Sequence, residues 1–513
     1  MSPLEYTPID EIPKIFTELK RGFGSGKTES IQYRKEQLLQ LGYLVKDNLD
    51  RFRKALYADL HRPPIETDLF DLSIVIQDVK NAYNNIDKWT RTERAPFHFN
   101  WFAMKPSIRK EPKGVVLIIA PYNYPIFLLF GPLIGAIAAG NGAVLKPSEM
   151  TPETSALIAE LLPQYLDPEL YRVINGGIPE TTKILELPWN HILYTGNGRV
   201  AKIVLQAAAK HLTPVSTELG GKCPVIIDEN CDLKTSARRI MASKVANSGQ
   251  TCVAPDYVLV PRHFQDQLVE AFKETLDKFY PNTDPVRSDS YARIVSPQHT
   301  QRIKRLIDET RGEVVVGGQA DVEQRYIAPT IVKNVPEDDS LMSEEIFGPV
   351  LPIVPVGDID EAIAFVNERD HPLALYLFSK DEKVKAKVLE NTQSGGVAVN
   401  DCVMHVGAYG TPFGGIGPSG SGYHTGKFSF DMFTHLRVTI DSPSWLDKIL
   451  SGRFPPYTEK KFKTLSKLLY PSLPPRPGTK RSNSAWIVWA VAALAVVSGA
   501  VLAKPALRER LGL

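Results

Sequence analysis

The chain has 513 residues, 43% of them hydrophobic, so it can bury large cores and fold as two or more domains rather than as a disordered or fibrous chain. Sixty basic residues against 58 acidic ones leave a net charge of +2, which gives no ground for a nucleic-acid partner. The four cysteines (223, 231, 252 and 402) form no CxxC and the ten histidines no HExxH, so neither a disulfide framework nor a metal site is expected, and a reducing compartment fits.

Residues 1–19 alternate charged and apolar side chains and lack the apolar core of a signal peptide, which points to synthesis in the cytosol. Through the first ninety residues the apolar positions fall at helical spacing, as at Ile31, Leu38, Leu39, Leu41 and Leu44, then Leu56, Leu60, Leu69, Leu72 and Ile76. The pattern then changes. Residues 114–120 are a short unbroken apolar run, the mark of a strand covered on both faces; 125–139 is an apolar stretch of helix length, and 143–146 a second buried strand. Strand, helix and strand in so short a span are the signature of a parallel sheet. Thr151-Pro152-Glu153 predicts an N-cap and first turn for a helix through Leu162. A second alternation follows, with strands at 173–175 and 191–195, then Gly196-Asn-Gly-Arg-Val200 opening a helix to Ala209. A strand that ends in glycines and feeds a helix offers backbone N–H groups and a dipole to a phosphate. The full GxGxxG is absent, however, and a plain tight turn has the same composition.

Glu218-Leu-Gly-Gly-Lys222 is followed by the run Asn247-Ser-Gly-Gln-Thr-Cys252. A thiol can attack an electrophilic carbon, and a carboxyl can later take a proton from the water that releases the product. The pair therefore suggests covalent catalysis followed by hydrolysis. A free thiol with a pKa near about 8.5 is only a few per cent thiolate at neutral pH, so Cys252 needs activation by its surroundings. Cys223, Cys231 and Cys402 read as inert core residues.

Residues 441–484 carry prolines at 443, 455, 456, 471, 474, 475 and 477 and read as a connector. Within it, Lys460, Lys461, Lys463 and Lys467 alternate with Phe462, Leu465, Leu468 and Leu469, the spacing of a short basic amphipathic helix. Such a helix either lies on anionic lipid or packs on the folded body with its lysines in water. Residues 485–503 then run without a charge, and as a helix would reach about 28 Å, close to a hydrocarbon core. Lys480 and Arg481 precede the span, two tryptophans sit at its entry, and Lys504, Arg508 and Arg510 follow, matching the two membrane interfaces. Only ten residues follow it. A single-pass tail anchor, inserted after translation into the endoplasmic reticulum or the mitochondrial outer membrane with the body in the cytosol, is expected.

The residues resemble a known family: the NAD(P)-dependent aldehyde dehydrogenases, and within them the compact, class 3-like branch that includes the membrane-bound fatty-aldehyde dehydrogenases. The motifs are Pro121-Tyr-Asn-Tyr-Pro125, Lys146-Pro-Ser-Glu149, Thr195-Gly196, Glu218-Leu-Gly-Gly-Lys222, Gly249-Gln-Thr-Cys252, Glu344-Glu-Ile-Phe-Gly-Pro349 and Pro412-Phe-Gly-Gly415, in the family's order. The resemblance implies an α/β fold with a Rossmann-type parallel sheet. It places an NAD-binding domain over residues 1–220, with a strand near 105–111 contributing to oligomerisation, and a catalytic domain over 221–402. A return segment and oligomerisation element would follow at 403–440, ahead of the linker at 441–484 and the transmembrane segment 485–503.

The resemblance also implies roles. Cys252 is the expected nucleophile, and the negative oxygen of its thiohemiacetal is expected to meet the side-chain amide of Asn123 and the backbone N–H of Cys252. By composition alone Asn123 is a turn former. Hydride passes to the nicotinamide, and Glu218 is the expected base for hydrolysis of the thioester, with Gly220 and Gly221 permitting close backbone approach. Family members that pass the acyl group to coenzyme A commonly lack this carboxyl, so water is the expected acceptor. Lys146 and Glu149 match the pair that grips the adenosine ribose, while Thr195, Gly196, Val200 and Ala201 form the turn and helix start at the pyrophosphate. Glu345 and Phe347 match the residues at the nicotinamide ribose. A carboxylate at 149 should repel the extra phosphate of NADP, so NAD is expected, with NADP tolerated. Ala201 stands where this branch usually has glycine.

A catalytic body tethered to a bilayer gains most with aldehydes that partition into lipid, so the expected substrate is a long-chain fatty aldehyde. Apocarotenoid, isoprenoid or aromatic aldehydes would suit the same chemistry. Tyr124, Ile126, Phe127, Leu128 and Leu129 either line an apolar channel or form helix core. A homodimer is expected through the strand near 107–110 and the glycine-rich stretch 407–426, although those glycines also suit plain loops. Readings from other classes are a thiol hydrolase working without NAD and a catalytically inactive membrane scaffold.

Overall fold

Helical spacing in the first ninety residues builds helices at Ile12–Gly24, Ile31–Asp47, Leu49–Leu60 and Ser73–Trp89, each burying one stripe. Leu38, Leu41, Leu44, Leu56 and Leu60 are fully buried, whereas Leu39 and Leu69 face solvent. A π-helical turn at Asp68–Leu72 precedes the last of these helices, and within it Asp71 is completely buried. The computed structural model describes residues 4–281, 284–471 and 473–477. The chain divides into two units, Met1–Glu93 with Ser107–Thr439 and Arg94–Pro106 with Ile440–Leu513.

The first unit continues through β1 (Ser107–Pro112), β2 (Val115–Ile119), α1 (Phe127–Ala139), β3 (Gly142–Lys146), α2 (Pro152–Tyr165), β4 (Tyr171–Val173), β5 (His191–Thr195), α3 (Gly198–Ala209) and β6 (Val215–Glu218). There follow β7 (Pro224–Ile227), α4 (Leu233–Val245), β8 (Tyr257–Pro261), β9 (Glu313–Val316), β10 (Thr330–Lys333), β11 (Val350–Val356), β12 (Ala374–Phe378), β13 (Gly396–Val399), β14 (Gly420–Ser421) and β15 (Thr434–Thr439). One sheet has the order β14-β6-β5-β2-β3-β4 and is parallel except for β14. The other has the order β9-β10-β11-β8-β7-β12-β13 and is parallel except for β9. This is the α/β, Rossmann-like parallel-sheet fold that the sequence predicts.

The unbroken apolar runs have a simple cause. In β2, Val116 and Ile118 enter the core shared with α1 and the N-terminal helices, while Val115, Leu117 and Ile119 enter a separate core with Ile12, Leu19, Val204 and Ala208. Successive side chains point to opposite faces, and both faces are covered. The strands β7 and β8 divide in the same way between two further cores. Helix α1 is buried on every side, and Tyr124, Ile126, Phe127, Leu128 and Leu129 all belong to the core around it.

Three local expectations hold only in part. Thr151 precedes α2, but its hydroxyl donates to the Ser148 carbonyl at 3.3 Å; the first-turn amides of Glu153 and Thr154 are instead taken by the Asp59 carboxylate at 3.1 and 2.8 Å. Helix α2 also runs past Leu162 to Tyr165, because Pro163 forfeits only its own N–H while Leu166 still closes on the Leu162 carbonyl at 2.9 Å. The glycine-rich stretch 407–426 is not wholly loop: β14 pairs antiparallel with β6, placing Gly420 opposite Glu218.

In the second unit the Asp441 N–H donates to the Met104 carbonyl at 2.7 Å. The basic segment is a helix, α5 (Glu459–Leu469), with Thr458 Oγ1 accepting the Lys461 N–H at 3.3 Å. Among the described residues no helix is long and apolar enough to cross a membrane; the predicted span 485–503 lies outside them.

Helix α1 has room for hydrogen only at Gly135, where an added Cβ would stand 2.6 Å from the Ser429 carbonyl carbon. Gly135→Ala should therefore cost about 1–3 kcal/mol by overpacking, read as a lower thermal midpoint, despite the better helix propensity of alanine.

Candidate active site

The six-stranded sheet reverses its winding between β2 and β5, since β3 and β4 lie on one side of β2 and β5 and β6 on the other. Ligands of open α/β sheets bind beyond the carboxyl ends of the strands at such a point. Here those ends are Ala120-Pro121-Tyr122-Asn123 after β2 and Thr195-Gly196 after β5. The Gly196 N–H donates to the Glu218 carbonyl at 3.0 Å, and Thr195 lies in register with Glu218. Phosphate-turn and carboxyl motifs distant in sequence are thus adjacent in the fold.

The cysteine sits in a tightly held loop after α4. Asn247, Ser248 and Gly249 all have left-handed backbones, with φ of 48°, 53° and 72°. Two consecutive non-glycine residues in that region store strain, so the surroundings must hold them. The Asn247 N–H donates to Glu66 at 2.9 Å and its side-chain amide to the Asn123 carbonyl at 3.0 Å; its Oδ1 accepts from Arg62 Nε at 3.1 Å. Gln250, fully buried, donates to the Asn247 and Arg293 carbonyls and accepts the Val295 N–H. Thr251 shares a 2.6 Å hydrogen bond with the Tyr124 hydroxyl. An added Cβ at Gly249 would stand 2.9 Å from Pro349 N, which is why the motif needs glycine there.

Asn123, buried at 3% exposure, donates one amide N–H to the Gln250 carbonyl at 3.0 Å. A primary amide has a second N–H, so Asn123 is held beside the cysteine loop with a donor to spare. Burial pushes the Cys252 thiol up to about 12, the Glu345 and Glu218 carboxylates add to this, and the backbone N–H groups of Cys252 and Val253 act the other way. The expected activation is therefore not supplied by the polypeptide's own charges. Glu218 is buried, both its carboxylate oxygens lack a hydrogen-bond partner among the described residues, and burial holds its pKa well above the ordinary range.

Gly220 and Gly221 do permit close approach, and what approaches is Glu345: a Cβ on Gly220 would lie 2.6 Å from its carboxyl carbon. The Glu345 carboxyl is raised to about 8, by burial first and then by Asp256, against the opposing Gly221 N–H, Lys222 and Arg302. Phe347, with a left-handed φ of 48°, meets Tyr122 edge-to-face at 6.0 Å. At the end of β3, Lys146 Nζ donates to Glu149 at 2.7 Å. The Val200 N–H is already taken by Asn197 Oδ1 at 3.0 Å. Ala201 is buried in the core beneath α3, so its methyl group packs inward.

Sequence reasoning missed the residues that hold these groups. Arg62 and Asp71, both fully buried, form a 2.5 Å ion pair; Arg62 also donates to the Asn123 carbonyl and stacks on Tyr124 at 4.8 Å. Lys222 pairs with Asp256, whose other oxygen accepts the Ile346 N–H at 3.0 Å. Arg302 donates to the Ile346 carbonyl at 2.6 Å. Charged residues look like solvent-facing positions in a sequence; the one available signal is Asp71 interrupting the apolar spacing between Leu69 and Leu72.

A half-buried thiol and a buried, unpaired carboxyl beside the switch point of a doubly wound sheet form the centre of an α/β enzyme. Residues 8–439 match the model of the aldehyde dehydrogenase family, and the chain belongs to that family: it is an NAD(P)-dependent aldehyde dehydrogenase. It is 43% identical over 457 residues to aldehyde dehydrogenase family 3 member B1 of Rattus norvegicus, covering 89% of this chain and 97% of the relative. Over 450 residues it is likewise 43% identical to the 4,4'-diaponeurosporen-aldehyde dehydrogenase of Staphylococcus aureus, covering 88% and 97%. Among solved structures it is similar to substrate-bound AldH of Staphylococcus aureus, with a TM-score of 0.86, 42% identity and coverage of 90% of this chain and 99% of that one.

The thiol's surroundings fix a pH dependence. Alkylation of Cys252 by iodoacetamide in cofactor-free protein should keep rising with pH and show no plateau near neutrality, because only the thiolate reacts. Glu345→Gln removes a like charge, so it should lower the thiol pKa and speed alkylation above about pH 8, where Glu345 is ionised. A wild-type plateau at neutral pH would contradict this.

Proposed function

We propose that this aldehyde dehydrogenase oxidises a lipophilic, long-chain fatty aldehyde to its carboxylic acid with NAD. Cys252 serves as nucleophile, Glu218 as base, and the Asn123 amide with the Cys252 N–H as oxyanion donors. The observation that carries the chemistry is the juxtaposition of the half-buried Cys252 thiol with a carboxyl whose two oxygens have no partner among the described residues. A carboxyl without hydrogen bonds, raised by burial, is a stronger base once ionised than an exposed one. Thiolate attack on the aldehyde carbon places the new oxyanion against donors already fixed in the loop. When bound, NAD supplies the hydride acceptor. Loss of hydride from the thiohemiacetal carbon leaves a thioester on Cys252. Glu218 then takes a proton from the attacking water, the C–S bond breaks, and the acid leaves.

The residues present fit the dinucleotide. Lys146 and Glu149 lie side by side at the end of β3, a donor and an acceptor suited to the two hydroxyls of the adenosine ribose. Thr195 and Gly196 border the crevice for the pyrophosphate, with Val200 and Ala201 shaping the helix start beneath it. Glu345 and Phe347 would hold the nicotinamide ribose. The carboxylate of Glu149 favours NAD over NADP. Residues 1–220 act as the cofactor domain and 221–402 as the catalytic domain. The segment 403–440 returns to the first sheet through β14 and ends in β15.

Strand β15 pairs with β1 and exposes Leu436 and Val438, which suits a homodimer edge. Residues 485–503 anchor the chain in a bilayer after the linker at 441–484, with the catalytic body facing the cytosol and the endoplasmic reticulum or mitochondrial outer membrane as host. An anchored enzyme meets its substrate in the lipid phase, and the Staphylococcus aureus relative is named for 4,4'-diaponeurosporen-aldehyde.

Glu218→Gln should retain a single stoichiometric burst of NADH, because acylation does not need the base, and then stall; a normal steady-state rate would contradict the assignment. Substrate class is read from kcat/KM across saturated aldehydes of increasing chain length, where a rise of at least tenfold from short to long chains is expected. A flat series would remove the fatty-aldehyde reading while leaving the chemistry intact.

A further inference from the structure

Charge is divided unevenly between the two units. The smaller unit, residues 94–106 with 440–513, carries 14 lysines and arginines against 4 acidic residues, while the remainder carries 46 against 54. The near-zero net charge of the whole chain therefore conceals a strongly basic unit and an acidic remainder. Basic segments of this kind are drawn to anionic phospholipid surfaces.

Within that unit, residues 97–102 show four large aromatic side chains to solvent: Phe97 at 78% exposure, Phe99 at 71%, Trp101 at 53% and Phe102 at 50%. The rings of Phe97 and Phe99 lie 5.6 and 6.1 Å from that of Phe102, so they form one patch rather than scattered residues. The backbone beneath is closed on itself. The Ala95 N–H donates to Pro106, Trp101 and Phe102 both donate to the His98 carbonyl, Met104 donates to Trp101, and Lys105 donates to Phe102, all at 2.9 to 3.1 Å. A turn that satisfies several of its own N–H groups can enter a less polar medium at a lower cost than an open loop. Amphipathic aromatic rings are the side chains that settle at the headgroup level of a bilayer.

We infer that this aromatic turn is a bilayer-docking surface, a second point of membrane contact beside the C-terminal anchor. The inference rests on the anchored reading above. The hydrogen bond from Asp441 to the Met104 carbonyl joins the turn to the chain that leads through α5, where Phe462 is also exposed, toward residues 485–503. The turn and the anchor therefore belong to one basic unit. With two attachments, the smaller unit would meet the bilayer at two points of the chain. The occupant is the interfacial layer of an anionic bilayer.

The test uses the full chain reconstituted into phosphatidylcholine vesicles containing phosphatidylserine, with p-benzoylphenylalanine in place of Phe99 or, as a control, in place of Ile178, which is 82% exposed in the other unit. Flotation reports the anchor, and photocrosslinking reports the turn. Lipid adducts at position 99 and none at 178 are expected. Flotation without a lipid adduct at 99, or an adduct at 99 to a second copy of the chain, would overturn the docking surface and leave the anchor standing; failure to float would overturn the anchored reading itself. In a second measurement, the combined Phe97→Ser, Phe99→Ser and Trp101→Ser variant should oxidise a short soluble aldehyde at the wild-type rate but a vesicle-borne long-chain aldehyde several-fold more slowly. Equal slowing with both, or with neither, would overturn the proposal.

Discussion

The site depends on the ion pair between Arg62 and Asp71, neither of which is exposed at all. Burying two charges is favourable only when geometry and further hydrogen bonds satisfy both, and breaking such a pair typically costs about 3–5 kcal/mol. Here the additional bonds define the active centre. Arg62 reaches the Asn123 carbonyl and the Asn247 side chain, and Asp71 accepts the Phe127 N–H at 2.7 Å. Three segments far apart in sequence are fixed by one guanidinium: the π-turn, the loop after β2, and the left-handed loop before Cys252. Strain in that last loop persists because this anchor overdetermines it.

The Glu218 carboxyl is built by the opposite logic. Its backbone is held on two sides, by β5 through Gly196 and by β14 through Gly420, while its side chain is left without partners. Position is supplied by the sheet and reactivity by the missing hydrogen bonds. A carboxylate tied to backbone N–H groups would be located just as well but would be a weaker base.

Much of the architecture was legible because parallel strands covered on both faces must be continuously apolar, and 114–120 and 143–146 are. The site motifs were legible through their glycines, since Gly220 and Gly249 mark places where Glu345 and Pro349 leave no space for a side chain. Illegible were the supports. Arg62, Asp71 and Lys222 are charged residues whose burial depends on contacts that no local pattern encodes. The capping of α2 by Asp59, more than ninety residues upstream, escaped for the same reason. Leu39 and Leu69 fit the helical period and still face solvent, because periodicity gives the face of a helix but not the width of its neighbour.

The pairing of Gly420 with Glu218 has a consequence for synthesis. The strand carrying Glu218 leaves the ribosome about 200 residues before the strand that closes its edge. A nascent or prematurely ended chain can hold the thiol loop and the carboxyl motif, yet the sheet around them is incomplete. The sheet edge beside Glu218 is thus finished only when almost the whole body exists, and a prematurely ended translation product carries both motifs on an open edge.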